Sequence, residues 1–202
     1  MNSIWCFGDS FTAGHGCTPE FEYCQNYKKD KDNLWCNHLG NLLNMNVINN
    51  GKNGCSNDII FDLILENFNN IKPNDIVIIG KTFSYRYDIP SLNIKNEWVS
   101  AHDVIYHKEK YNEEQYQTIL NFSYHFAKDK KYKNRQNNRI NFLISLLNEK
   151  NIKTLLWSVE EDILFYDRIR DATNGKIDDA HLSFKGHLQF YQWIYQKLIK
   201  IL

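Results

Sequence analysis

No residue run in this 202-residue chain approaches the roughly 18 consecutive apolar residues that a membrane-spanning helix needs. The first residues, Met1-Asn2-Ser3-Ile4-Trp5-Cys6-Phe7, lack a basic leader, and their apolar stretch ends at Gly8-Asp9, too early for a signal peptide. Net charge is lacking as well. Lys and Arg number 24, Asp and Glu 24, so nothing in the charge balance favours nucleic acid or an anionic membrane as partner. The five cysteines (Cys6, Cys17, Cys24, Cys36 and Cys55) are odd in number and irregular in spacing, which argues against a disulfide framework. Reduced thiols in the cytoplasm are the expected state. His15, Cys17, Cys24, Cys36 and His38 invite a zinc reading, but the CxxC pairs of structural zinc sites are absent, and no metal is expected. No internal repeat or low-complexity tract is present.

What is there is the composition of an ordinary folded domain, with 43% apolar residues. The length suits one domain carrying an insertion. Ser3–Phe7 reads as a first buried strand stopped by Gly8. Leu34, Trp35, Leu39, Leu42 and Leu43 fall at helical spacing and predict a helix over Asn33–Asn44. Asn46–Asn49 reads as a short second strand before a Gly51…Gly54 turn. Ser56 or Asn57 caps a helix whose apolar face holds Ile59, Ile60, Leu63, Ile64 and Phe68. The run Ile76-Val77-Ile78-Ile79 has the continuous apolarity of a strand covered on both faces. Arg139–Lys150 carries a helical stripe, Thr154–Trp157 a further buried strand, and a last helix starts at Ser183 with Leu188, Trp193, Ile194, Leu198 and Ile199 facing inward. Strands alternating with helices imply a three-layer α/β/α sandwich with a mostly parallel sheet. Residues 83–135 break this rhythm. They are polar and aromatic-rich, include a helix near Glu113–Lys128, and read equally as a surface excursion with its own aromatic cluster or as a lid over the sheet's carboxyl edge.

Candidate chemistry lies in four short segments. Gly8-Asp9-Ser10-Phe11-Thr12-Ala13-Gly14 leaves the first strand and sets the Ser10 hydroxyl at the carboxyl edge of the sheet, where it needs a base to act as nucleophile. Near the other end, Asp178-Asp179-Ala180-His181-Leu182-Ser183 places a carboxylate three residues before an imidazole. On a turn, that spacing lets the acid hold one ring nitrogen while the other faces a substrate. Taken together, these two segments resemble the first and last blocks of the SGNH/GDSL hydrolase superfamily. The resemblance implies that fold in its flavodoxin-like form and a serine esterase, with Ser10 as nucleophile, His181 as base and Asp178 as acid. Asp179 is a competitor at less suitable spacing.

A third segment, Asn49 to Asn57, is similar to the family's glycine block. It implies that the Gly54 N–H joins that of Ser10 in an oxyanion hole, with Gly51 as the turn-forming alternative. The fourth departs from the family. Where an oxyanion asparagine is usual, the chain reads Gly80-Lys81-Thr82-Phe83-Ser84-Tyr85-Arg86, leaving Lys81 or Thr82 as replacement donor. Loss of one such donor costs about 3–4 kcal/mol in the barrier. Gly80-Lys81-Thr82 is not a phosphate-binding loop, because Asp75 stands where the motif needs glycine and residues 76–79 form a strand.

Asp9, Tyr85 and Arg86 are candidate substrate contacts, although for Arg86 a surface ion pair on a loop is the favoured reading. The expected partner is a small-molecule or carbohydrate ester, with no organic cofactor, and the polar insertion favours a small acyl group on a carbohydrate. Two other readings are acyl transfer to a sugar and a non-catalytic binding protein.

Overall fold

The computed structural model describes residues 2–14, 34–90, 98–101, 104, 108–126, 130–163, 166–170 and 177–202. His15, Cys17 and Cys24 of the zinc reading lie outside them, and no group of three or more metal-ligating side chains occurs among the described residues.

Four parallel strands make the central sheet. They are β1 (Ser3–Gly8), β2 (Asn46–Gly51), β3 (Ile76–Lys81) and β6 (Lys153–Ser158), in the spatial order β2-β1-β3-β6. Side chains on a strand alternate between faces, and here the alternation divides two cores. Ile4, Cys6, Ile76, Ile78 and Trp157 face helices α2 (Trp35–Leu43) and α7 (Phe184–Leu198). Trp5, Phe7, Val77 and Ile79 face α3 (Asn57–Asn67) and α5 (Lys130–Glu149). The chain is thus a three-layer α/β/α sandwich with a mostly parallel sheet, as the periodicity predicts.

Several boundaries differ from expectation for identifiable reasons. β2 runs on to Gly51, because the ladder with β1 continues through Gly8 opposite Gly51. The sharp turn therefore falls to Gly54, with φ of +70°, a conformation glycine adopts without a Cβ clash. β6 is a sheet edge and not a fully buried strand, and Leu156 is 37% exposed. The helix read from Arg139 starts nine residues earlier, at Lys130, where a polar sequence hides the amphipathic period. In α7 the buried positions include His187 and Phe190, while Ile199 turns outward.

Within residues 83–135, the hairpin β4 (Asp88–Pro90) and β5 (Trp98–Ser100) precedes α4 (Glu113–Phe126). Tyr87, Ala101, Val104 and Ile119 bury a third, smaller cluster there. Among the described residues no helix is long and apolar enough to cross a membrane.

Candidate active site

Three of the four candidate segments lie at the carboxyl ends of parallel strands, where open α/β sheets present their ligand crevice. β1 ends at Gly8. A Cβ there would stand 2.1 Å from Thr12 Oγ1, so only glycine lets the chain double back at once into α1 (Ser10–Ala13). Asp9 caps this four-residue helix, its carboxylate accepting from the Phe11 N–H at 3.1 Å. Gly14, with φ of +83°, closes it. A helix this short has negligible stability of its own. It is held by its surroundings: Asn49 Nδ2 donates to Thr12 O at 2.8 Å, Trp35 Nε1 donates to Phe11 O at 3.1 Å, and the Lys52 N–H donates to Gly8 O at 2.9 Å.

At the start of α1, the Ser10 Oγ stands 2.7 Å from His181 Nε2 across 171 positions of sequence. Ser10 is buried at 4% exposure. The imidazole packs on the Phe11 ring with centroids 5.0 Å apart. A hydroxyl and an imidazole nitrogen at this distance form the pair in which a base withdraws the proton of a nucleophile.

His181 does not sit on a turn. It lies on β8 (Ile177–Leu182), paired antiparallel with β7 (Arg168–Arg170). No period in Ile177-Asp178-Asp179-Ala180-His181-Leu182 announces a strand, which exists here through its pairing. Asp178 and Asp179 lie on its backbone course, and their side chains fall outside the described residues.

The remaining predicted residues separate. The backbone N–H groups of Ser10 and Gly54 have no hydrogen-bond partner among the described residues. Gly51, closing β2, is pressed against α1, and a Cβ on it would lie 2.3 Å from Ala13 N. Neither side chain proposed to replace the oxyanion asparagine is turned to that task. Lys81 Nζ donates to Asn137 Oδ1 at 3.0 Å, and the single proton of the Thr82 hydroxyl is given to Asp9 Oδ2 at 2.6 Å. Gly80 packs under the Trp157 ring, in a strand and not a loop.

Asp9, a candidate substrate contact, is fully buried, with its carboxylate engaged by protein groups. Its Oδ2 also accepts from Arg86 Nη1 at 3.1 Å, and Arg86 in turn donates to Thr82 Oγ1 at 2.9 Å. Arg86 is 6% exposed, and the ion pair read as superficial is internal. Tyr85, 41% exposed, stacks on Phe83 with centroids 5.2 Å apart. The turn that carries them is fixed by Glu160 Oε1, which accepts from both the N–H and the hydroxyl of Ser84 at 2.9 Å.

Two polar residues whose part in the site sequence reasoning did not identify, Asn57 and Gln136, complete its support. Asn57 Oδ1 accepts from the Thr82 N–H at 2.9 Å while its Nδ2 donates to Thr82 O at 3.2 Å, clasping the end of β3 as a neighbouring strand would. The same Nδ2 reaches Gln136 Oε1 at 3.3 Å, and Gln136 is buried. Asn57 is visible in the sequence as a helix cap; Gln136, a polar residue on a polar helix, gives no signal. Behind His181 lies His187, also buried, whose Nδ1 accepts from the Trp35 N–H at 3.4 Å. Burial, reinforced by the nearby His38 and His181, lowers its pKa to about 3.

No family model and no curated protein matches the chain. Among solved structures it is similar to the M. smegmatis aryl esterase, at 12% identity over 100% of both chains with a TM-score of 0.47. It is similar as well to Est24, a carbohydrate acetylesterase from Sinorhizobium meliloti, at 12% identity over 100% of both chains and 0.45. A third is a putative lipolytic protein of the G-D-S-L family from Desulfitobacterium hafniense DCB-2, at 16% identity over 97% of this chain and 99% of that one, and 0.39.

Proposed function

We propose that this protein is a serine hydrolase of the SGNH/GDSL kind that cleaves an ester through an acyl-enzyme. The observation that carries the reading is the 2.7 Å contact between Ser10 Oγ and His181 Nε2 at the carboxyl edge of the sheet. Ser10 Oγ attacks the acyl carbonyl carbon as His181 Nε2 takes its proton. The negative charge that develops on the carbonyl oxygen is met by the backbone N–H groups of Ser10 and Gly54. Collapse breaks the bond to the alcohol oxygen, which takes the proton back from His181 and leaves. Water, deprotonated by His181, then attacks the acyl-serine, and the acid departs as Ser10 regains its proton. Asp178 is assigned the orientation of His181 on the motif alone. The preferred substrate is a small acyl group on a carbohydrate. Support comes from the polar 83–135 segment and from the exposed aromatic Tyr85 at the same edge of the sheet.

With two backbone donors and no asparagine, turnover is expected to be slow for the class, since one missing donor costs about 3–4 kcal/mol. The test is intact-mass analysis after treatment with a fluorophosphonate, which phosphonylates only an activated serine. One adduct is expected on the wild type, none on Ser10→Ala, and labelling slowed by about 10⁶-fold on His181→Ala. A folded wild type that takes up no probe refutes the hydrolase reading.

A further inference from the structure

The departure at the fourth block leaves Asp9, Thr82 and Arg86 bonded to one another directly beside the nucleophile. Thr82 gives its hydroxyl proton to Asp9 and accepts one from Arg86, while Arg86 Nη1 also reaches the Asp9 carboxylate. The other carboxylate oxygen holds the Phe11 N–H, one residue past Ser10. Asn57 fixes the Thr82 backbone on both its N–H and its carbonyl. The guanidinium lies over the Phe83 ring, 5.0 Å from its centroid.

A buried ion pair is a weak source of stability, because desolvation offsets most of the Coulomb gain. Its position is the informative part. An unpaired Asp9 carboxylate would oppose the negative charge that forms on the substrate at the adjoining Ser10, in a site where burial strengthens electrostatic effects. It would also be free to turn, and α1 has no other side-chain cap.

We infer that Arg86 is a positioning residue: by donating from Nη1 to both Asp9 and Thr82 it fixes the cap of α1, and so the Ser10 oxygen and N–H, and it neutralises the carboxylate next to the oxyanion. This rests on the hydrolase reading of Ser10. The role differs from a substrate clamp, because the Arg86 head is turned inward on Asp9 and lies 6% exposed.

The experiment measures fluorophosphonate labelling rates, kcat and KM on p-nitrophenyl acetate, and melting temperature. It compares wild type, Arg86→Ala, Arg86→Lys and the exposed-site control Arg135→Met. Arg86→Ala is expected to lose roughly 100-fold in labelling rate and kcat, the scale of an ångström of misplacement, with KM within about threefold. Added guanidinium ions are expected to restore part of that loss. Arg86→Lys keeps the buried cation and hence the fold, and loses about tenfold because its ammonium lacks the plane that lies over the Phe83 ring. Should Arg86→Ala fail to fold, the Arg86→Lys measurement decides alone. Full rates in folded Arg86 variants overturn the inference, as does a rise in KM at unchanged kcat, the mark of a clamp. A wild type inert to the probe overturns the hydrolase reading and this inference with it, whereas an active wild type with active variants overturns the inference only.

Discussion

His187 shows how much one side chain sets the acid tolerance of the fold. In an unfolded chain its imidazole titrates near 6.5; in the fold burial holds it neutral down to about 3. The folded state therefore binds fewer protons than the unfolded state between these values, and stability falls as pH drops through that window. At 1.36 kcal/mol per unit, the full loss amounts to about 5 kcal/mol by pH 3. Asp88 acts in the opposite sense. Burial raises its pKa from 3.8 to about 6, so its contribution is present at low pH and lost as pH rises through 6. His187→Gln keeps an acceptor for the Trp35 N–H and cannot titrate. Urea midpoints measured from pH 7 to pH 4 are expected to fall less steeply in this variant than in the wild type. Equal slopes would show that His187 does not govern the acid limb.

At the scale of elements, β1, β3 and the starts of α3 and α7 were legible because apolar runs, 3.6-residue stripes and serine caps each have a direct physical cause. Ser56 and Ser183 do cap α3 and α7, accepting from Ile59 N–H and Gly186 N–H. What escaped were two elements built from polar residues. The β7–β8 hairpin that delivers His181 has no period to read, and the first nine residues of α5 look like solvated coil. The roles of Asp9 and Arg86 were misread for a related cause, since spacing alone cannot tell an inward head group from an outward one. Ser10 and His181 were legible as a pair because turn glycines and an Asp-x-x-His motif mark their segments.

The fit between β2 and α1 gives a prediction at this scale. Gly51→Ala places a methyl against the Ala13 backbone, which cannot move aside as a side chain would. The expected cost is about 1–3 kcal/mol of stability, with α1 displaced. Thermal melts combined with probe-labelling rates check this, and a variant with wild-type values in both would show that the α1–β2 contact is loose.

Over the whole molecule, the two cores differ in what fills them. One face of the sheet is packed mainly with isoleucine and leucine, while the other holds Trp35, Trp157 and Phe190 in mutual edge-to-face contact, with centroids 4.9 to 6.2 Å apart. Edge-to-face pairs add to area burial, and Trp35 also donates to the Phe11 carbonyl behind the nucleophile. Phe190→Ala is expected to destabilise the protein by about 3–5 kcal/mol. Urea denaturation would measure it, and a loss below 1 kcal/mol would mean that the cluster collapses around the void.

Ser10 and His181 meet although they stand on opposite sides of nearly every other element of the fold. During synthesis the serine emerges early and remains chemically ordinary while the sheet, its helices and finally β8 are added. In the proposed hydrolase, reactivity at Ser10 is a certificate of completion: a chain nicked or stalled anywhere between the two carries an idle alcohol, and two complementary fragments regain the pair only by reassembling the sheet. The hydrolytic competence we propose belongs to the closed circuit of the chain and to no segment of it.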